Sequence, residues 1–185
     1  MRVYLLRHGQ TAWNAQGRYL GRTDLPLTEA GRAALRKADL APEAVFVSPL
    51  GRAAETAAIL FPQARQIVAH ARAEAEHSRE GRGWRDMEDF APYREWVDGH
   101  CRGPVPEGES MEAFCARTCA AFGALMDQAA ASGAKRLAVV AHGGTQMAVL
   151  ERFALPRRDY FSWRGPLGGG FVLDGSRWST DRILT

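Results

Sequence analysis

A chain of 185 residues is long enough for one substantial hydrophobic core and short for two, so a single domain over residues 1–185 is expected. With 46% hydrophobic and 24% charged residues the composition is that of an ordinary globular protein, and a net charge of +3 is too small to imply nucleic-acid binding by itself. No apolar run is long enough to span a membrane and no signal-like region precedes the first apolar run, so the expected location is the cytoplasm.

The first apolar run, Val3 to Leu6, is short and reads as a buried strand; it stops at Arg7-His8-Gly9. The glycine-punctuated stretch from Ala15 to Leu27 reads as a surface loop. Thr28 offers an N-cap, and Glu29 suits the positive first turn of a helix expected to run to about Ala38. Ala44 to Val47 is a second strand, Ser48-Pro49-Leu50-Gly51-Arg52 a turn, and Ala53 to Leu60 a helix closed by Pro62. A weak third strand covers Gln66 to Ala69. The least regular region, residues 70–108, holds Glu74, Glu76, His77, Arg79, Glu80 and a short helix expected over Tyr93 to His100.

Ser110 caps a long helix on which Met111, Phe114, Cys115, Thr118, Phe122, Leu125 and Ala129 recur at three- and four-residue steps, a core-facing stripe. Cys101, Cys115 and Cys119 are odd in number without a Cys-x-x-Cys spacing, and the last two read as small buried hydrophobes. Leu137 to Ala141 is a fourth strand, apolar throughout and hence buried on both faces; it ends at His142-Gly143-Gly144 before a helix of about Thr145 to Phe153. Two closing strands, Gly170 to Leu173 and Trp178 to Leu184, come last, joined by Asp174-Gly175-Ser176. Alternation of strand and helix predicts a three-layer α/β/α sandwich with a mostly parallel central sheet.

Two strands end alike, in Arg7-His8-Gly9 and in Ala141-His142-Gly143. As neighbours in a parallel sheet they would project His8 and His142 into one crevice at its carboxyl edge, where ligands of open α/β sheets sit. Arg7 and Arg52 also stand at element ends. Imidazoles and guanidiniums together suit a phosphoryl group, because arginine forks match phosphate oxygens and helix starts add N–H donors.

These residues resemble the histidine phosphatase superfamily, which includes the phosphoglycerate mutases. The pattern Leu-x-Arg-His-Gly-x-Thr-x-x-Asn is met by Leu5, Arg7, His8, Gly9, Thr11 and Asn14. The resemblance continues through Arg18, Gly21, Asp24, Pro26-Leu27-Thr28 and Gly31. Ser48-Pro49-Leu50, Arg52 and Glu55-Thr56-Ala57 form a further block, Gly108-Glu109-Ser110 another, and Val139 to Gly144 the last. It implies that His8 attacks phosphorus and becomes a phosphohistidine, that Arg7, Arg52, His142 and Asn14 bind the phosphoryl oxygens, and that guanidinium charge makes a metal or other cofactor unnecessary. One ring nitrogen of His8 must be held as N–H by a backbone carbonyl that the sequence does not name.

The general acid implied is a glutamate beyond the third strand. Here the sequence departs from Glu-x-x-x-Gly-x-Trp-Glu-Gly: Glu74 falls where that glutamate falls, Glu76 competes with it, and Glu80-Gly81 stands as the closing Glu-Gly. Both glutamates as solvated charges is the third reading. Gln146 and Met147 stand where many relatives carry an arginine, and their position reads as helix surface.

The superfamily divides into mutases, which carry inserted segments enclosing a bisphosphate, and phosphatases. About 35 residues between Glu74 and Ser110 leave little room for an enclosure, which favours hydrolysis of a phosphomonoester. Tyr93-Arg94-Glu95-Trp96 followed by Pro106 to Met111 resembles the α-ribazole-5′-phosphate phosphatases of cobalamin assembly; a sugar phosphate is the other substrate class. Phosphoglycerate mutase-type transfer and a non-catalytic phospho-ligand or protein-binding module are the alternatives. The expected partner is a small phosphorylated metabolite, not nucleic acid or membrane, and the sequence sets no oligomeric state.

Overall fold

A computed structural model describes residues 1–69, 80–101, 108–175 and 179–183. The chain runs β1 (Arg2–Arg7), α1 (Ala12–Ala15), α2 (Glu29–Ala34), β2 (Ala44–Val47), α3 (Gly51–Leu60), β3 (Gln66–Val68), α4 (Ala91–Asp98), α5 (Met111–Ala131), β4 (Arg136–Ala141), α6 (Gly143–Phe153), β5 (Gly170–Asp174) and β6 (Ser179–Ile183). The strands form one sheet in the order β3-β2-β4-β1-β5-β6. β1, β2, β3 and β4 are parallel, whereas β5 runs antiparallel to β1 and β6 antiparallel to β5.

The period of two along each central strand divides the core into two layers. Val3, Leu5, Leu137, Val139 and Ala141 point to one face and pack with Phe122 and Met126 of α5 and Val149 and Leu150 of α6. Tyr4, Leu6, Ala138 and Val140 point to the other and meet Ala53, Ala57 and Leu60 of α3. The expected three-layer sandwich is therefore present, and β4 is buried on both faces as its apolar run requires. Glycine is needed where β5 pairs with β1, because a Cβ on Gly170 would lie 2.1 Å from the Leu5 carbonyl oxygen.

Several boundaries depart from the expected ones. Residues 12–15 form a helical turn soon after β1, because Thr11 and Asn14 cap it reciprocally. The helix capped by Thr28 ends at Ala34 instead of about Ala38; Leu35 turns extended and drops into the core under Gly9. α3 begins at Gly51 because Asp24, from the distant loop, accepts the Gly51 N–H at 2.7 Å and so caps the helix from outside the local sequence. α4 spans Ala91–Asp98, two residues earlier than expected, with Pro92 inside its first turn, and α6 begins at Gly143. Cys115 and Cys119 are half-buried against the cluster of Phe114, Ala148 and Tyr160, not fully buried, since they flank the stripe that faces the sheet.

Among the described residues no helix is long and apolar enough to cross a membrane. None of the His, Cys, Asp and Glu side chains described gather into a group of three or more suited to a metal ion.

Candidate active site

The register of β1 on β4 brings the two strand ends together: Arg7 pairs with Ala141, and the His8 N–H donates to the Ala141 carbonyl at 2.9 Å. His8 and His142 therefore leave the sheet side by side, with ring centroids 5.3 Å apart and planes at 60°. A cavity of about 470 Å³ opens at this edge, and Arg7, His8, Asn14, Gly143 and Gly144 are among the residues on its wall. Arg52 and His142 lie just behind, each fully buried.

His8 is oriented by its own neighbour. Its Nδ1 lies 2.7 Å from the Gly9 carbonyl oxygen. A carbonyl only accepts, so Nδ1 carries the proton and Nε2 keeps its lone pair. The His8-Gly9 unit is in turn held to the core. The Gly9 N–H donates to Thr56 Oγ1 at 2.9 Å, the Thr56 hydroxyl donates to the Arg52 carbonyl at 2.7 Å, and the Gly168 N–H donates to the His8 carbonyl at 3.1 Å.

Each cation is aimed by backbone carbonyls. Arg7 donates through Nη1 to Gly165 O at 3.0 Å. Its guanidinium passes over the start of α6, where a Cβ on Gly143 would sit 3.2 Å from Nε, so a glycine keeps that passage open. Arg52 spreads its fork between Thr23 O and Gly21 O, both at 2.7 Å, with Asp24 Oδ1 at 3.7 Å from Nη1. The Thr11 N–H and hydroxyl both donate to Asn14 Oδ1, at 3.1 and 2.9 Å, which leaves the Asn14 Nδ2 amide as the donor available to a ligand. The N–H groups of the first turn of α6 add donors on the same wall.

Burial pushes the His8 imidazole down to about 3, with the positive charge of Arg52 and then Arg7 adding to the effect against the opposing bond to Gly9. His142 is held well below its ordinary range by burial first, then Arg52, His8 and Arg7. The two rings are thus neutral in the folded protein across the physiological range. An unfolded histidine protonates near pH 6.5. Between that pH and about 3 the unfolded chain binds a proton at His8 that the folded chain refuses, so stability present above pH 6.5 is lost as the pH falls. A His8→Asn variant is expected to lose about 1.4 kcal/mol less stability than the wild type per pH unit below 6.5. Urea unfolding at pH 7.5 and 5.5 measures this, and equal losses in the two proteins would show that folded His8 takes up the proton.

Glu74 and Glu76, with His77 and Arg79, lie outside the described residues. The next residues, Glu80 and Gly81, are docked onto the site's own loop: Glu80 accepts the Thr23 N–H at 3.1 Å and the Thr23 hydroxyl at 2.7 Å. Burial would raise the Glu80 carboxyl, but these bonds and those from Arg22 and Gly21 outweigh it and hold it below its ordinary value. Arg18 donates to Gly81 O at 3.1 Å. The Glu80-Gly81 pair thus ties the end of the segment bearing both glutamates to residues 18–23, the same loop whose carbonyls hold Arg52.

Four features escape the sequence reading. Ser48 bonds His142 Nε2 through its hydroxyl at 2.7 Å; it ends β2 just as the histidines end their strands, a signal that was legible. Residues 165–169 supply the carbonyls for Arg7 and the N–H for His8 from a loop with no motif of its own. Glu109 lies on the cavity wall. Gln146 is not on the helix surface: it is fully buried, and its Nε2 donates to Leu5 O at 2.9 Å and Gly169 O at 3.3 Å, pinning the 165–169 loop to the end of β1. Met147, its neighbour, faces the cavity.

A sheet with four parallel strands, and a neutral, oriented imidazole and two guanidiniums at their carboxyl edge, defines an α/β protein with its candidate site at that edge. Residues 3–173 match the family described as histidine phosphatase superfamily (branch 1), and the chain belongs to that superfamily. It is 34% identical over 161 residues to the "Probable phosphoglycerate mutase GpmB" of Cronobacter sakazakii, covering 77% of this chain and 70% of that protein. The α-ribazole phosphatase of Shigella flexneri superposes over 100% of this chain and 96% of its own, with a TM-score of 0.81 at 25% identity. TTHB049 of Thermus thermophilus superposes over 100% of both chains, with a TM-score of 0.73 at 34% identity.

Proposed function

We propose that the protein hydrolyses small phosphomonoesters through a phosphohistidine at His8. The observation that carries this reading is the Nδ1 bond to Gly9 O, which leaves Nε2 unprotonated beside Arg7 on the wall of a cavity. The Nε2 lone pair attacks phosphorus in line and the P–O bond to the leaving alcohol breaks. The departing oxygen takes a proton from a carboxylic acid, Glu74 or else Glu76. Water then attacks phosphorus, gives its proton to that carboxylate, and the P–N bond breaks with its electron pair returning to Nε2. Arg7, the Asn14 amide and the α6 N–H groups bind the phosphoryl oxygens at the wall. Arg52 and His142 act from behind, Arg52 by its charge and His142 as a hydrogen-bonding neighbour fixed by Ser48. Guanidinium charge does the work a metal would do, so activity is expected to survive a chelator.

The substrate is a phosphorylated metabolite with a leaving group larger than a triose, such as α-ribazole 5′-phosphate or a sugar phosphate. The cavity volume of about 470 Å³ supports this, as do the aromatic rings of Trp84, Trp96, Tyr160 and Phe161 beside Met147 on its wall. Likeness to the Shigella α-ribazole phosphatase over the whole chain supports the first of the two. The names of its sequence relatives favour a second reading, phosphoglycerate mutase-type transfer. Turnover of α-ribazole 5′-phosphate, fructose phosphates and 3-phosphoglycerate, followed by phosphate release and by formation of 2-phosphoglycerate, separates the readings. Free phosphate and a preference for the first substrate are expected. Isomerisation of phosphoglycerate without phosphate release would replace hydrolase by mutase.

A further inference from the structure

The described wall of the cavity carries one carboxylate, Glu109, immediately before the N-cap of α5. Two turns along, Arg117 donates through Nε to Oε1 at 2.5 Å and through Nη2 to Oε2 at 2.6 Å, a bidentate clamp. The Arg117 guanidinium lies over the Phe114 ring, 5.1 Å from its centroid, and is not itself part of the wall. The pair thus turns its acceptor end to the cavity and its donor end away.

A carboxylate oxygen accepts about two hydrogen bonds, and the clamp uses one on each. The bidentate fork fixes the carboxylate plane and leaves an acceptor position on each oxygen, which suits a receiver of hydrogen bonds from a ligand. A fixed anion beside a site for phosphate opposes substrate binding unless the substrate brings donors to meet it.

We propose that Glu109 is a specificity-determining residue that accepts hydrogen bonds from a vicinal diol of the leaving group, selecting sugar-type phosphates over leaving groups that carry a carboxylate or second phosphate of their own. This rests on the phosphomonoesterase reading above. The guanidiniums of Arg18 and Arg164, also on the wall, pull toward an anion, so the preference measures which influence the leaving group meets.

Values of kcat/KM are compared for ribose 5-phosphate, 3-phosphoglycerate and 4-nitrophenyl phosphate in the wild type and in Glu109→Gln. The ratio of ribose 5-phosphate to 4-nitrophenyl phosphate is expected to fall at least about tenfold in the variant, chiefly through KM, and 3-phosphoglycerate to gain on ribose 5-phosphate by a similar factor. Uniform loss across the three substrates, or unchanged ratios, overturns the proposal. A measurement free of any folding effect uses the wild type alone: ribose 5-phosphate is expected to exceed 2-deoxyribose 5-phosphate at least about tenfold, and equality overturns it. Absence of turnover with every phosphate rejects the hydrolase reading and this proposal with it. Turnover with unaltered ratios rejects this proposal alone.

Discussion

Alanine in place of His8 is expected to reduce hydrolysis of 4-nitrophenyl phosphate by about 10⁴-fold or more, with the protein still folded. A nucleophile that forms the covalent intermediate cannot be replaced by the rest of the site; only the smaller acceleration from binding and charge stabilisation survives. The aryl leaving group needs little protonation, so the loss reports the attack and not the missing acid. Structurally the change removes one buried ring and the donor to Gly9 O, at a cost of about 1–3 kcal/mol. Comparable rates in the two proteins would remove His8 as nucleophile. Wild type incubated with labelled substrate and denatured in alkali is expected to carry protein-bound phosphate that is stable to base and released by acid, and the variant none.

Arg52 is expected to matter twice. It is fully buried, and its fork satisfies Gly21 O and Thr23 O while its charge lies close enough to both histidines to depress their protonation. Arg52→Met leaves two inward carbonyls without donors and releases the loop over residues 21–24, so unfolding is expected to become easier by about 3–5 kcal/mol. Loss of the same charge from the phosphoryl site is expected to lower kcat/KM by about 10²–10³-fold. Arg52→Lys separates the effects. It restores charge but a single ammonium cannot span two carbonyls, so activity should recover further than stability does. Urea unfolding and aryl phosphate kinetics on both variants measure this. Wild-type stability and activity in Arg52→Met would leave the residue without either role.

The two effects are joined because the loop over residues 21–24 serves several parts of the site. Asp24 caps α3, the carbonyls of Gly21 and Thr23 aim Arg52, and Thr23 holds Glu80. Disorder in that loop therefore reaches the surroundings of His8 through Arg52, and Glu80 through Thr23.

Much of this was legible along the chain. The apolar runs at residues 3–6 and 137–141, one ending in Arg7-His8-Gly9 and the other in His142-Gly143, required buried strands, the second buried on both faces, and they are the central pair β1 and β4. The three- and four-residue recurrence after Ser110 required the long helix, and Phe114, Thr118, Phe122 and Ala129 are indeed its buried side. Arg7, His8 and His142 stand at strand ends and Arg52 at a helix start, and the register of β1 on β4 brings the two histidines to one edge. Such features follow from local chemistry: a period of two or of 3.6, a cap, a break.

Other features depended on chain segments far apart in sequence. Gly165 O meets Arg7, Leu5 O meets Gln146, and Asp24 meets Gly51 only when the sheet and its loops have closed. Gln146 looked like a surface residue because a polar amide in a helix has no local reason to be inside. Its reason is two carbonyls contributed by β1 and by the loop before β5. The tautomer of His8 had the opposite character: its partner, Gly9 O, is the next residue, yet the peptide joining the two is held by Thr56 and Gly168 from elsewhere. Residue order alone thus specified which reactive groups are present and at which element ends they stand. Their partners and orientations came with folding, because a backbone carbonyl carries no identity in sequence and acquires a direction only in the closed chain.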